Sequence, residues 1–405
     1  MTPSAPIPST MAGAPPCGDP LAWLILSDKT GDNAQLTALA GALPWPCRIK
    51  RIAVRKQYML GKPPVAASLH HIDPGRSDPL EPPWPDLVVT IGRRMSMVAL
   101  WIKEQSAGHA KIVLIGAPKQ FADRFDLTVV SEQYRQADRP NLMRITYPLQ
   151  QVDTALIAAE AQAHRGEFER LPRPLIAVLV GGSTKAVRFD AAVAERLAQD
   201  VAELARRERG TLFVTTSRRT PPAVVDALER GLPASASLYK WTADGHANPY
   251  RALLGLADRF VVTSDSLSML MEIARLGRPL AIYPLPESSW LARPQFGARL
   301  NAAAGSRALP RPGTHFLGSL TGGLARRLAT VGRHRDLAAV PRLLVRDGFA
   351  AWFGEPFRFA GGRLPDELSA VAARIAALAE QQRRSEPAAG PVPAGSEREG
   401  WAAAP

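Results

Sequence analysis

The sequence predicts an α/β protein of two domains, each built on a parallel sheet, and three observations carry that expectation. Short apolar runs recur along the chain, as strands buried on both faces of a parallel sheet require. Each is followed by a loop of Gly, Ser, Thr, Asn or Asp and then by a span of helical periodicity. The pattern breaks once, between Tyr147 and Pro174, and restarts. In such sheets the loops at the carboxyl ends of the strands line the ligand crevice.

The first unit is LAWLILSDKTGDNAQLTALAGAL from Leu21: a buried strand, a polar loop, and a helix carried by Leu36, Leu39, Ala40 and Leu43. Gly31 permits a tight turn close to a ligand, and Asp28, Asp32, Asn33 and Gln35 add polar groups at the strand end. There is no GxGxxG, so a dinucleotide site is not supported. After a Pro-rich stretch from Lys62 to Pro85, Leu87 to Ile91 reads as a strand and Met95 to Lys103 as a helix. Between them stand Gly92, Arg93 and Arg94. Arginines at a helix start oppose its dipole, which suits a shared anion better than capping. Leu127 to Val130 and Asn141 to Thr146 complete the strands of this half.

An Ala-rich helical span, Thr154 to Phe168, lies within the expected linker, 151–174. The second half restarts with a strand from Leu175 to Val180 and the loop Gly181-Gly182-Ser183-Thr184-Lys185. Two glycines, two hydroxyls and an ammonium make a plausible phosphate cradle, although the Walker spacing is absent. A helix, Ala191 to Arg207, leads to a strand, Thr211 to Thr215, and then to Ser217-Arg218-Arg219-Thr220-Pro221, where Thr220 is the expected cap of the next helix. Beyond a strand at Ser237 to Lys240, Asn248 is expected to cap a helix that Pro249 opens, running Tyr250 to Leu256. Trp241 and Tyr250 offer faces for a base or for the core. His246 is a loop histidine with no evident partner.

The segment LADRFVVTSDSLSMLMEIARLGRPLAIYPLP, Leu256 to Pro286, is the expected centre of the chemistry. Phe260 to Val262 is a buried strand, and Thr263, Ser264, Asp265 and Ser266 follow at its end. A helix with Met269, Met271, Ile273, Ala274 and Leu276 closes at Gly277, and Leu280 to Tyr283 is a further strand. Small hydroxyl residues at a helix start suit an anion, and equally suit a plain cap. Glu272, two turns on, is placed to meet ribose hydroxyls or solvent. Later segments are less informative. Trp290 to Ala308 reads as partly helical, Leu317 to Leu328 as Gly- and Leu-rich, and Leu337 to Phe353 as containing a helix. Leu364 to Gln382 reads as mostly one amphipathic helix, which suits packing on the first domain better than a membrane surface or a partner.

Composition narrows the partners. With 405 residues and 46% hydrophobic content the chain can bury more than one core. Fifty Lys and Arg against 37 Asp and Glu give a net charge of +13, which favours phosphates or acidic surfaces. The arginines are dispersed and lack interleaved aromatics, so nucleic acid is not an expected partner. Cys17 and Cys47 make no disulfide framework and no metal-ligand spacing. The N-terminus lacks a leader pattern, and no apolar run approaches the ~20 residues of a membrane span. A cytoplasmic protein is expected, with peripheral contact at the inner membrane face left open. Residues 1–20 and 384–405 have the composition of disordered segments.

The set GDNAQ, PDLVVTIGRR, VLVGGS, TTSRRTP, NPY, the FVVTSDSLSM run and GRP, across roughly Leu21 to Pro286, resembles the elongated-mitochondria (ELM-type) fission family, known in plants and widespread in bacteria. That family is similar to GT-B glycosyltransferases, whose two Rossmann-like domains hold a nucleotide-sugar in the cleft between them. The resemblance implies an N-terminal Rossmann-like domain (21–150, acceptor side), a C-terminal one (175–335, donor side) and C-terminal helices (336–383). It implies that Gly181, Gly182 and Ser183 meet the donor diphosphate. Ser217 and Arg218 would neighbour it, Ser264, Asp265 and Ser266 would lie at its phosphate end, and Glu272 would take the ribose.

Gly31, Asn33, Gln35, Gly92, Arg93 and Arg94 would line the cleft from the first domain, with Asp32 as base by position. The transferases carry a Gly-rich turn with a histidine where this chain has Gly31-Asp32-Asn33. The implied ligand is a UDP- or GDP-linked sugar, with an unidentified acceptor, no required cofactor and no metal, since no DxD-like motif is well placed. A nucleotide-sugar-binding, glycosyltransferase-like protein, inverting and metal-independent if active, is the leading expectation. The alternatives are a non-catalytic interaction protein that keeps the fold and a sugar-nucleotide epimerase.

Overall fold

The computed structural model describes residues 19–60, 64–118, 120–134, 136–184, 187–243, 248–287, 336, 338–358 and 362–385. Lys185, His246, the stretches 290–308 and 317–328, residues 1–18 with Cys17, and the tail 386–405 lie outside them.

Two six-stranded sheets organise the chain, and every strand pairing in both is parallel. The first contains β1 (Ala22–Leu26), β2 (Cys47–Arg51), β3 (Leu87–Ile91), β4 (Lys111–Ile115), β5 (Leu127–Ser131) and β6 (Leu142–Ile145), in the order β2-β1-β3-β4-β5-β6. The second contains β7 (Leu175–Leu179), β8 (Thr211–Thr215), β9 (Ser237–Tyr239), β10 (Arg259–Thr263), β11 (Leu280–Tyr283) and β12 (Ala351–Trp352), in the order β12-β11-β10-β7-β8-β9. Strand order therefore reverses between β1 and β3 in one sheet and between β7 and β10 in the other. These reversals are where open α/β sheets form their ligand crevices. The architecture is the GT-B-like pair of Rossmann-like units.

Among the described residues the helices are α1 (Thr30–Ala42), α2 (Lys56–Leu60), α3 (Arg93–Gln105), α4 (Thr154–Phe168), α5 (Ala191–Glu208), α6 (Pro222–Gly231), α7 (Tyr250–Leu256), α8 (Leu267–Arg275), α9 (Ala339–Arg346) and α10 (Glu367–Ser385). They cover both faces of each sheet, which is why β1 and β7 are apolar at every position. Leu24 and Leu26 of β1 pack with α1 and α10, whereas Trp23 and Ile25 face α3 on the opposite side. Around the second sheet, α4, α7, α8 and α9 share one core, and α5 and α6 share the other.

Several expectations change. The helix expected from Met95 starts at Arg93, so both arginines lie in its first turn and Gly92 is the N-cap, at φ +82°. The N-cap before α6 is Pro221 rather than Thr220, and Pro249 rather than Asn248 is the N-cap of α7. Asn248 still accepts a bond from the Tyr250 amide at 3.0 Å. The span 151–174 is more than a linker: Ile157 and Phe168 of α4 belong to the core of the second sheet. β2 was not legible as a strand, because CRIKR is an edge strand with half-exposed basic residues. Helix α10 lies on the first sheet, with Val371, Ala372, Ile375 and Ala379 buried there. No helix among the described residues is long and apolar enough to cross a membrane.

Candidate functional site

At the β7/β10 reversal the chain's own side chains knit the strand-end loops together. The Gly181 amide donates to the Thr263 hydroxyl at 2.8 Å, and that hydroxyl donates to Asp265 Oδ1 at 2.7 Å. The Gly182 amide donates to Asp265 Oδ2 at 2.9 Å, and Arg219 Nη2 lies 2.8 Å from the same oxygen. The Asp265 side chain is 0% exposed, against 41% for Arg219. Burial pushes the Asp265 carboxyl above the usual carboxylate range, opposed by Arg219, the Gly182 amide and the Thr263 hydroxyl.

The two glycines have an internal reason. A Cβ on Gly181 would overlap the Asp265 carboxylate, and one on Gly182 would overlap the Arg219 backbone carbonyl. The serines are also engaged. Ser217 and Thr220 hydroxyls donate to the Gly181 carbonyl at 3.1 and 2.5 Å. Ser183 Oγ donates to the Phe189 carbonyl at 2.9 Å, and Ser264 Oγ accepts from the Leu285 amide at 3.0 Å. Ser266 is the buried N-cap residue of α8, without a side-chain capping bond. Arg218 is exposed, and its neighbour Arg219 is the arginine that turns onto Asp265.

Glu272 lies farther along α8, where the two halves meet. Its Oε1 accepts from Gln150 Nε2 at 3.1 Å, and its Oε2 accepts from the Tyr250 hydroxyl. Burial raises both the Glu272 carboxyl and, strongly, the Tyr250 phenol. Glu272 borders a cavity of ≈ 570 Å³ that is also lined by Ala34, Gln150, Asp153, Asn248 and Arg251. Residues of both halves thus wall one cleft. Trp241, 36% exposed, sits beside the Ser217 loop, its amide donating to the Thr216 hydroxyl at 2.8 Å.

At the β1/β3 reversal, Gly31 and Asp32 lie in the first turn of α1 rather than in a separate tight turn. Gly31 faces the second domain, where a Cβ on it would stand 3.8 Å from Ser268 Oγ of α8. Asp32 is 3.7 Å from Lys29 Nζ and close to Gly92. Asn33 is turned to its own loop, accepting from the Ser27 amide at 3.0 Å and donating to the Ser27 carbonyl at 2.7 Å. Arg94 donates to the Tyr58 carbonyl, and Arg93 stands beside it on the first turn of α3. Gln35 is half-buried in α1. Gly31, Asp32 and Gly92 are therefore grouped at one crevice, while Asn33 and Arg94 serve the scaffold.

Sequence reasoning missed Thr263, Arg219, Thr220 and Gln150 as site members. The adjacent arginines of TTSRRTP signalled a cation without saying which one turns inward. Gln150 gave no signal, because its partner is on an element 122 residues away.

Two solved structures are distantly similar to the chain. A glycosyltransferase from Rickettsia africae aligns over 91% of this chain and 100% of its own, at 10% identity and a TM-score of 0.44. The Staphylococcus aureus MnaA-UDP structure covers 80% and 95%, at 12% identity and 0.41. At these scores the chemistry rests on this chain's own residues. Among curated proteins, the mitochondrial fission protein ELM1 of Arabidopsis thaliana is 26% identical over 228 residues, 51% of this chain and 53% of that protein. The chain thus spans about half the length of that relative. The uncharacterized protein RP120 of Rickettsia prowazekii is 25% identical over 301 residues, 65% of this chain and 83% of that one. The family model for mitochondrial fission ELM1 matches residues 30–310, a span that runs from the start of α1 and includes the β7/β10 reversal with its loops, and the chain belongs to that family.

Proposed function

We propose that this chain binds a nucleotide-sugar, UDP- or GDP-linked, in the cleft between its two sheets, and that any turnover is inverting, metal-independent glycosyl transfer to an acceptor hydroxyl. The observation that supports the reading is the position of Glu272: an inward carboxylate of α8 on a cavity walled by both halves, beyond the loops of the β7/β10 reversal. A carboxylate accepts both hydroxyls of a ribose, and the adjoining helix start favours the phosphate end.

In transfer, the departing nucleoside diphosphate gains negative charge. The first turn of α8 carries the backbone amides near where that charge develops. Asp32, across the cleft on α1, is the carboxylate for the acceptor proton. Calorimetric titration with UDP, GDP and UDP-GlcNAc tests the reading. Binding to the native chain that weakens at least tenfold in Glu272→Ala is the expected result. If no nucleotide binds, the transferase reading and the epimerase alternative both lose their basis. A second reading, an interaction scaffold that keeps the fold, is favoured by the internal engagement of the Gly182 amide and both Glu272 oxygens.

A further inference from the structure

The Gly181–Gly182 loop has the features of a phosphate cradle, yet the acidic group it holds belongs to the chain. One carboxylate oxygen of Asp265 takes the Gly182 amide and the Arg219 guanidinium, and the other takes the Thr263 hydroxyl. The Gly181 amide is itself taken by Thr263. The carboxylate lies over Gly181, where a side chain would otherwise stand, and is sealed from solvent. Donors that a ligand phosphate would need are thus satisfied before any ligand arrives, and displacing a buried carboxylate from three partners is costly.

We propose that Asp265 is an internal counter-anion that sets the phosphate affinity of this site. Its carboxylate fills the position between the Gly181–Gly182 loop and Arg219, so the native chain discriminates against phosphate there and recognises a nucleotide mainly through its nucleoside. The proposal rests on the nucleotide-site reading for the identity of the ligand, and on the geometry alone for the occupied cradle. Two consequences follow. In the native chain, the diphosphate adds little to the affinity of a nucleoside. In a chain without the carboxylate, the same donors become an anion site.

The test is calorimetric titration of the full chain, native, Asp265→Ser and Asp265→Asn, with pyrophosphate, uridine, UDP, guanosine and GDP. The expected result is a tenfold or greater gain in pyrophosphate affinity in Asp265→Ser, a smaller gain in Asp265→Asn, and unchanged nucleoside affinity. Asp265→Asn keeps the side-chain shape and decides the matter if the serine variant does not fold. Arg219→Ala supplies a second arm: combined with Asp265→Asn, it abolishes the gain in pyrophosphate affinity. Three results overturn the proposal: tight pyrophosphate binding by the native chain, loss of affinity in the Asp265 variants, which would make Asp265 a brace for Arg219, and no pyrophosphate binding by any folded variant. A gain for pyrophosphate without binding of any nucleoside or nucleotide sustains the counter-anion and overturns the nucleotide-sugar reading instead.

Discussion

Gln150, in the segment after the first sheet, donates its side-chain amide to Glu272 of α8 at 3.1 Å, joining the two halves at the wall of the cleft. The bond has a cost for any ligand that uses Glu272, because a ribose hydroxyl must share or replace that donor. Gln150→Ala is expected to lower stability by about 1 kcal/mol, the usual net worth of one hydrogen bond. It should not weaken nucleotide binding, whereas Glu272→Ala should. Urea denaturation and calorimetry on the same preparations check both parts. A Gln150→Ala variant that loses nucleotide affinity would show that Gln150 contacts the ligand rather than competing with it.

Gly181 and Gly182 face different obstacles, and their substitutions should respond differently to a second change. A Cβ on Gly181 meets the Asp265 carboxylate, a side chain that can be shortened, and one on Gly182 meets the Arg219 backbone carbonyl, which cannot. Gly181→Ala and Gly182→Ala are each expected to destabilise by about 2–3 kcal/mol, the scale of overpacking. Asp265→Ser should recover part of the loss in Gly181→Ala and none of it in Gly182→Ala. Denaturant midpoints of the singles and doubles form the cycle that measures this coupling.

Particular residues show what the sequence could and could not reveal. β7 and β10 were legible because Leu175–Leu179 and Phe260–Val262 are apolar throughout, and their loops because Gly181, Gly182, Ser264 and Asp265 are small or polar at the strand ends. β2 was not, since half-exposed basic residues carry little hydrophobic signal, and β12 is only two residues long. That Gly182 serves Asp265 depends on a contact 83 residues apart, which no local pattern encodes. The same limit hid the bond from Gly181 to Thr263, 82 residues apart, which closes the link to Asp265.

The end of the chain makes a separable prediction. Helix α10 returns to the first sheet, where Ile375 is buried with Leu24 and Leu36, and the Glu367 carboxylate accepts the amides of Thr146 and Tyr147. Ile375→Ala is expected to cost about 3 kcal/mol, as large-to-small core changes do. Arg374→Ala, at an exposed position of the same helix, should stay within about 0.5 kcal/mol. Thermal or denaturant unfolding of the two variants checks the contrast. Equal, small effects would show that α10 does not rest on the sheet in solution.

His71 gives the chain a pH dependence with a defined sign. It is fully buried, its Nε2 lies 3.0 Å from the Arg94 carbonyl, and burial lowers its pKa from 6.5 to about 4. The carbonyl bond, which favours the cation, only partly offsets burial, and His70 and Arg94 add to the lowering. The folded chain therefore holds His71 neutral in a range where the unfolded chain protonates it. The unfolded state binds more protons between about pH 6.5 and 4, so stability falls as pH drops through that window and is unaffected by this group above it. The full effect is on the order of 3 kcal/mol, since each tenfold loss of proton affinity on folding corresponds to about 1.4 kcal/mol. Denaturant unfolding of native and His71→Gln chains at pH 7.5, 6, 5 and 4 is the check. The native chain should lose stability faster than the variant below pH 6.5, and parallel profiles would mean that His71 titrates alike in the folded and unfolded states.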